Sequence, residues 1–102
     1  MNRMYTQEEF IEAINDYSEF SPKQKVILIL LLKVAINNVA KVTISYIHQE
    51  TNITKATISS TLSFLSKKGF IAIKEQKGNR FTGCEIVSSK LHEILMHYHI
   101  KK

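Results

Sequence analysis

The hydrophobic period of this chain changes at Gly69 and changes back at Ser88. Up to Gly69, apolar residues recur at helical spacing. Beyond it, Phe70-Ile71-Ala72-Ile73-Lys74-Glu75 alternates enough to read as a strand, and Phe81 to Val87 reads as its return strand. Lys77-Gly78-Asn79-Arg80 between them has turn chemistry. From Ser88 or Ser89, as the cap of a last helix, Leu91, Ile94, Leu95 and Tyr98 again form one helical stripe. The expected class is mainly α with a small β-hairpin (α+β), in the order α-α-α-α-β-β-α.

The four helices before Gly69 are delimited by local chemistry. Thr6-Gln7-Glu8-Glu9 fits a capping box, and Phe10, Ile11, Ile14 and Tyr17 then predict a first helix near 7–18. Ser21-Pro22 followed by Gln24 forms a second box with proline at the first helical position, opening a helix over about 22–37. Apolar residues run unbroken from Val26 to Leu32, which predicts a central buried helix stopped at Asn37-Asn38. Val42-Thr43-Ile44 reads as a short extended segment, with Thr43 capping a third helix near 44–51. Asn52 tolerates the left-handed backbone that ends many helices, Thr54 caps a fourth helix over about 55–68, and Gly69 terminates it.

With 102 residues the chain suffices for one compact domain, 1–102, with one core. The longest apolar run is far below the roughly 20 residues of a membrane span. The start, MNRMYTQEEF, lacks the apolar stretch of a signal peptide, so a cytoplasmic location is expected. Cys84 stands alone and forms neither an internal disulfide nor a metal site by itself. The net charge of +5 is unevenly spread. Residues 1–20 set Arg3 against Glu8, Glu9, Glu12, Asp16 and Glu19, a balance of −4, and the remainder carries +9. An acidic first helix on a basic body suits a polyanion-binding protein.

The fourth helix has a peculiar composition. Thr54, Thr57, Ser59, Ser60, Thr61, Ser63 and Ser66 are all hydroxyl residues, and Ser and Thr are mediocre helix formers. With Ile58, Leu62 and Leu65 as the buried stripe, 100° per residue turns Ala56, Ser60, Ser63 and Lys67 directly outward and leaves Thr57 and Ser59 on the flanks. Such a short, uncharged outer face fits a DNA major groove about 12 Å wide. Short hydroxyls can bond phosphates or base edges, and Thr or Ala methyls can meet the thymine methyl. Lys55 stands at the helix N-terminus, where free N–H groups and the dipole also favour phosphate.

The stretch VTISYIHQETNITKATISSTLSFLSKKGFI, Val42 to Ile71, resembles the winged helix-turn-helix family, in particular small bacterial and archaeal regulators of the MarR and ArsR type. The matching positions are the opening Thr43, apolar Ile47, the turn at Asn52 with Ile53 after it, and the cap Thr54. The Ile58, Leu62, Leu65 stripe and the closing Lys68 to Ile71 complete the match. Asn52 stands where glycine is commoner, and His48 where alanine is. The resemblance implies a helix-turn-helix over 43–69, a wing over 70–87, and flanking helices in 1–20 and 88–102. It implies a major-groove helix presenting Thr54, Lys55, Ala56, Thr57, Ser59, Ser60, Ser63 and Lys67, with Thr43 beside it. The wing would bring Lys74, Lys77, Asn79 and Arg80 to the minor groove or backbone.

The same resemblance implies a homodimer. The stripe Leu91, Ile94, Leu95 and Tyr98 has no obvious partner in so small a fold, and the first helix offers Phe10, Ile14 and Tyr17. In the family such flanking helices pair two subunits, so that two reading helices meet successive grooves about 34 Å apart. The alternative is that both helices pack on their own core. His48, His92, His97 and His99 lack a metal-site spacing, and no phosphate loop or catalytic pairing appears, so no metal, cofactor or enzymatic activity is expected.

The expected function is sequence-specific binding of double-stranded DNA by a dimeric transcriptional repressor. The alternative is a plasmid or phage partition (centromere-binding) or replication-initiation adaptor that binds DNA repeats and recruits a protein partner. Either would be nucleoid- or plasmid-associated. A winged helix used only for protein contact is a third class, against which the hydroxyl-rich helix and basic hairpin tip both argue.

Overall fold

The computed structural model describes residues 6–77 and 80–101, and of residues 74–77 and 101 the backbone alone. Its elements are α1 (Gln7–Asp16), α2 (Pro22–Val34), β1 (Val39–Ala40), α3 (Ile44–Thr51), α4 (Lys55–Lys67), β2 (Ile71–Lys77), β3 (Arg80–Ile86) and α5 (Ser88–Lys101). The described residues thus form five helices and a small antiparallel sheet of order β1-β3-β2. No helix among the described residues is long and apolar enough to cross a membrane.

Both capping boxes form. Thr6 accepts from the Glu9 N–H while Glu9 reaches back, and Ser21 and Gln24 do the same ahead of Pro22. Helix α1 ends two residues before the expected position. Tyr17 leaves the helix with ψ at 110° and sets its ring against Phe20, centroids 4.9 Å apart. Helix α2 stops at Val34, not near 37. Asn37 and Asn38 take φ of 53° and 66°, and Ile36 and Val39 exchange backbone hydrogen bonds of 2.9 and 3.0 Å across them. That is a two-residue turn with both central residues left-handed, the conformation asparagine tolerates best after glycine. The asparagines therefore open a strand as well as closing a helix.

That strand is the main departure from the expected order. β1 pairs Val39 with Glu85 and Ala40 with Cys84, whereas the extended segment was expected at 42–44. The pairing depends on Gly83, because a Cβ there would lie 2.8 Å from the Ala40 carbonyl oxygen. Helix α5 also starts differently. Ser88 is its first residue, and the Val87 carbonyl receives the Lys90 and Leu91 N–H groups.

The core runs through the centre of the chain, with Ile14, Ile27, Leu28, Leu31, Ile47, Ile58, Leu65, Ile71, Ile86 and Leu95 fully buried. Helix α2 supplies three of these, but it is not buried all round, since Val26 is 46% exposed. The flanking helices pair with one another. Ile14, Leu91, Ile94 and Leu95 are all buried within the single chain. Phe10 meets His92 edge-on at 5.6 Å, Tyr17 meets His97 at 6.1 Å, and the Tyr98 hydroxyl donates to Glu12 over 3.4 Å. The stripe expected to join two subunits is thus occupied inside one. Each buried Leu or Ile there contributes about 1.5–3 kcal/mol, which the fold gains by laying α5 on α1.

Candidate nucleic-acid interface

Helices α3 and α4 are joined by a turn held through side-chain hydrogen bonds. Thr43 caps α3, accepting from the Tyr46 N–H at 3.1 Å. Asn52 takes φ of 59° and ends the helix, its N–H donating to the His48 carbonyl. The Thr51 hydroxyl donates to the Ile47 carbonyl at 2.7 Å and accepts from the Ile53 N–H at 3.2 Å. The His48 Nδ1 lies 2.7 Å from the Ile53 carbonyl oxygen. Thr54 then caps α4, accepting from the Thr57 N–H and donating to the Thr57 hydroxyl. Ile47, Ile53 and Ile58 are buried beneath the turn.

Helix α4 divides its residues as the buried stripe predicts. Ile58, Leu62 and Leu65 face the core, and Lys55, Ala56, Ser59, Ser60, Ser63 and Lys67 are exposed. Thr57 is half-buried. Thr61 belongs to the inner face, 3% exposed, so it does not contribute to the outer hydroxyl surface. The Ser60 hydroxyl donates to the Thr57 carbonyl at 3.0 Å, which leaves its oxygen free only to accept. Ser59 and Ser63 make no hydrogen bond with other described residues, and Lys55, Lys67 and Arg80 make no ion pair among them.

The hairpin leans over the start of this helix. Its ladder pairs Ile73 with Cys84, Glu75 with Gly83, Gln76 with Phe81 and Lys77 with Arg80. Lys74 is therefore an extra residue on β2 and Thr82 an extra residue on β3, and the two bulges cancel. The bulge on β3 changes which side chains face inward. Ile86 and Cys84 are buried, and so is Phe81, three residues from Cys84, while Arg80 is exposed. Strict alternation would have turned Arg80 toward the side of Cys84.

A groove of about 670 Å³ results, lined by Thr43, Ile44, Ser45, Lys55, Ala56, Ser59, Arg80, Phe81 and Thr82. It gathers five of the residues expected to contact DNA: Thr43, Lys55, Ala56, Ser59 and Arg80. Ile44 and Phe81 supply apolar lining, Thr43, Ser45, Ser59 and Thr82 hydroxyls, and Lys55 and Arg80 positive charge. Ser60, Ser63 and Lys67 lie on the other flank of α4, around a shallower hollow beside Phe64 and Ile73. Thr54 is engaged in its cap. Asn79 lies outside the described residues, as do the side chains of Lys74 and Lys77.

Ser45 and Thr82 were not among the expected contacts. Ser45 could have been found from its place in the first turn of α3 beside the Thr43 cap, whereas Thr82 is set by the bulge that the pairing of β2 with β3 creates. Cys84 takes no part: burial pushes its thiol up to about 11, so it stays protonated and unreactive near neutrality. Among the described residues no three His, Cys, Asp or Glu side chains gather as a metal-ligand set. The chain matches no protein-family model, and no curated protein or solved structure is similar enough to it to count as a match.

Proposed function

We propose that this chain is a winged helix-turn-helix protein that binds double-stranded DNA, with α4 in the major groove and the β2–β3 hairpin on the adjoining minor groove or backbone. One observation carries the reading. The groove between α4, the start of α3 and β3 collects Lys55 and Arg80 with hydroxyls from three separate elements. Charged side chains and hydroxyls in that mixture suit a phosphate backbone beside base edges. Strand β1 adds support, because it fixes the hairpin to the segment that leads into α3.

The outer face of α4 carries no Arg, Asn or Gln to bond a base pair bidentately. Readout would rest on single hydroxyl bonds and on the Ala56 methyl against thymine. A large share of affinity would then come from phosphates and fall steeply with salt.

The biological role that fits best is a dimeric transcriptional repressor. Its second subunit would meet the outer side of α5, where Met96 and Ile100 are 42% and 83% exposed. The test is selection of bound fragments from random and host DNA, then affinity measured across a salt series. An isolated palindrome supports the repressor. Cooperative spreading over tandem repeats supports a partition or replication adaptor instead. Arg80→Ala should weaken binding to most sequences and lower the salt slope by about 1. An unchanged slope would remove the hairpin from the interface, and a chain that binds no fragment, or binds without salt dependence, would overturn the DNA reading.

A further inference from the structure

We propose that His48 is a positioning residue for DNA binding: its imidazole clamps the peptide from which α4 starts and so fixes the angle at which α4 meets the groove. The inference rests on the reading of α4 as the DNA-facing helix. The turn between α3 and α4 has three residues, Asn52, Ile53 and Thr54. Thr51 bonds within the turn, reaching back to Ile47 and forward to the Ile53 N–H. His48 does something different. It sits in the second turn of α3 and reaches across to the Ile53 carbonyl, 2.7 Å from its Nδ1.

A carbonyl oxygen only accepts, so Nδ1 carries the proton and donates. That carbonyl belongs to the planar peptide joining Ile53 to Thr54, the cap of α4. Holding the oxygen therefore holds the plane that directs the first turn of the next helix. The packing of Ile47, Ile53 and Ile58 under the turn is non-directional and fixes a distance better than an angle. The bond is part-buried, so leaving the carbonyl without its donor carries a cost.

The angle matters because α4 is a lever. From Thr54 to Ser63 the helix rises about 14 Å, so a tilt of about 10° moves Ser63 by about 2 Å. A shift of that size breaks a hydrogen bond at the far end while leaving the near end in place. The half-buried imidazole, with Nδ1 already engaged, thus serves α4 rather than the phosphate backbone.

The experiment compares the full-length protein with His48→Ala and His48→Asn, whose amide nitrogen can stand where Nδ1 stands. Affinity for a selected fragment is measured over a salt series, with circular dichroism confirming that each variant is folded at the assay temperature. His48→Ala should bind about tenfold more weakly with the salt slope unchanged. His48→Asn should recover most of the loss. Wild-type affinity in His48→Ala, a slope lower by about 1 (the sign of a lost phosphate contact), or an Asn variant no better than Ala would each overturn the proposal. If the wild-type chain binds no fragment, the DNA reading itself fails, and the role of His48 fails with it.

Discussion

The α1–α5 pair and the α3–α4 unit are built on opposite plans. In the first, apolar side chains on both helices find each other: Ile14, Leu91, Ile94 and Leu95 are buried, and aromatic edges and the Tyr98–Glu12 hydrogen bond close the seam. In the second, the inner faces pack in the same way, but the outer face of α4 keeps Ser59 and Ser63 without partners among the described residues, and Lys55, Lys67 and, on β3, Arg80 make no ion pair among them. An apolar stripe gains several kcal/mol by finding cover, so a small fold supplies that cover from its own chain where it can. A hydroxyl in water gains little from an internal partner and can stay available. The uncommitted polar surface is the better guide to where this molecule meets something else.

Four variants break or sharpen that contrast. Ser63→Glu puts a carboxylate on the outer face of α4 and should cut DNA affinity by about a hundredfold or more through like-charge repulsion, with the melting temperature unmoved. Ser60→Glu should act alike. Binding that survives both would mean the outer face of α4 is not the contact surface. Leu95→Ala, at a fully buried site, should lower unfolding stability in urea by about 2–5 kcal/mol. If it left stability unchanged and only dissociated subunits, the stripe would belong to an intersubunit seam after all. Met96→Lys combined with Ile100→Lys should change monomer stability by less than about 1 kcal/mol, since both residues stand well out in solvent. The same pair should turn a dimer into a monomer by sedimentation or light scattering. An unchanged mass would exclude the outer side of α5 as the second subunit's seat.

The features that rest on near neighbours in the chain could be read from the sequence. Thr43, Asn52 and Thr54 form their caps and turn with partners three or four residues away, and α3 and α4 start and end within one residue of the expected positions. The Ile58, Leu62, Leu65 stripe fixed the outer face of α4, and Thr61, four residues before Leu65, falls on its inner side. Features that need a distant partner were not legible. β1 is two residues long and exists because β3 runs beside it, with Gly83 allowing the approach. Asn37-Asn38 serves equally as a helix stop or as a left-handed turn, and only the pairing of Ile36 with Val39 decides. The fate of the α5 stripe depended on where α1 lay. His48 shows in the sequence merely as a large residue where a small one is usual. Its bond to the Ile53 carbonyl appears only once the turn is folded.

The extra residue at Thr82 makes the hairpin a matter of parity. Ahead of it, counting from the base, the inward side chains of β3 are the even-numbered Ile86 and Cys84. Beyond it the inward one is the odd-numbered Phe81, and Arg80 turns out. A deletion of Thr82 alone would leave a regular strand with Phe81 still inward and Arg80 still outward, whereas a strand that kept Thr82 but lost the bulge would exchange the arginine and the aromatic between surface and interior. The positive charge over the groove therefore rests on the bulge as much as on the presence of an arginine. Ironing out the bulge with Thr82 in place would turn the charge inward as surely as a substitution would remove it.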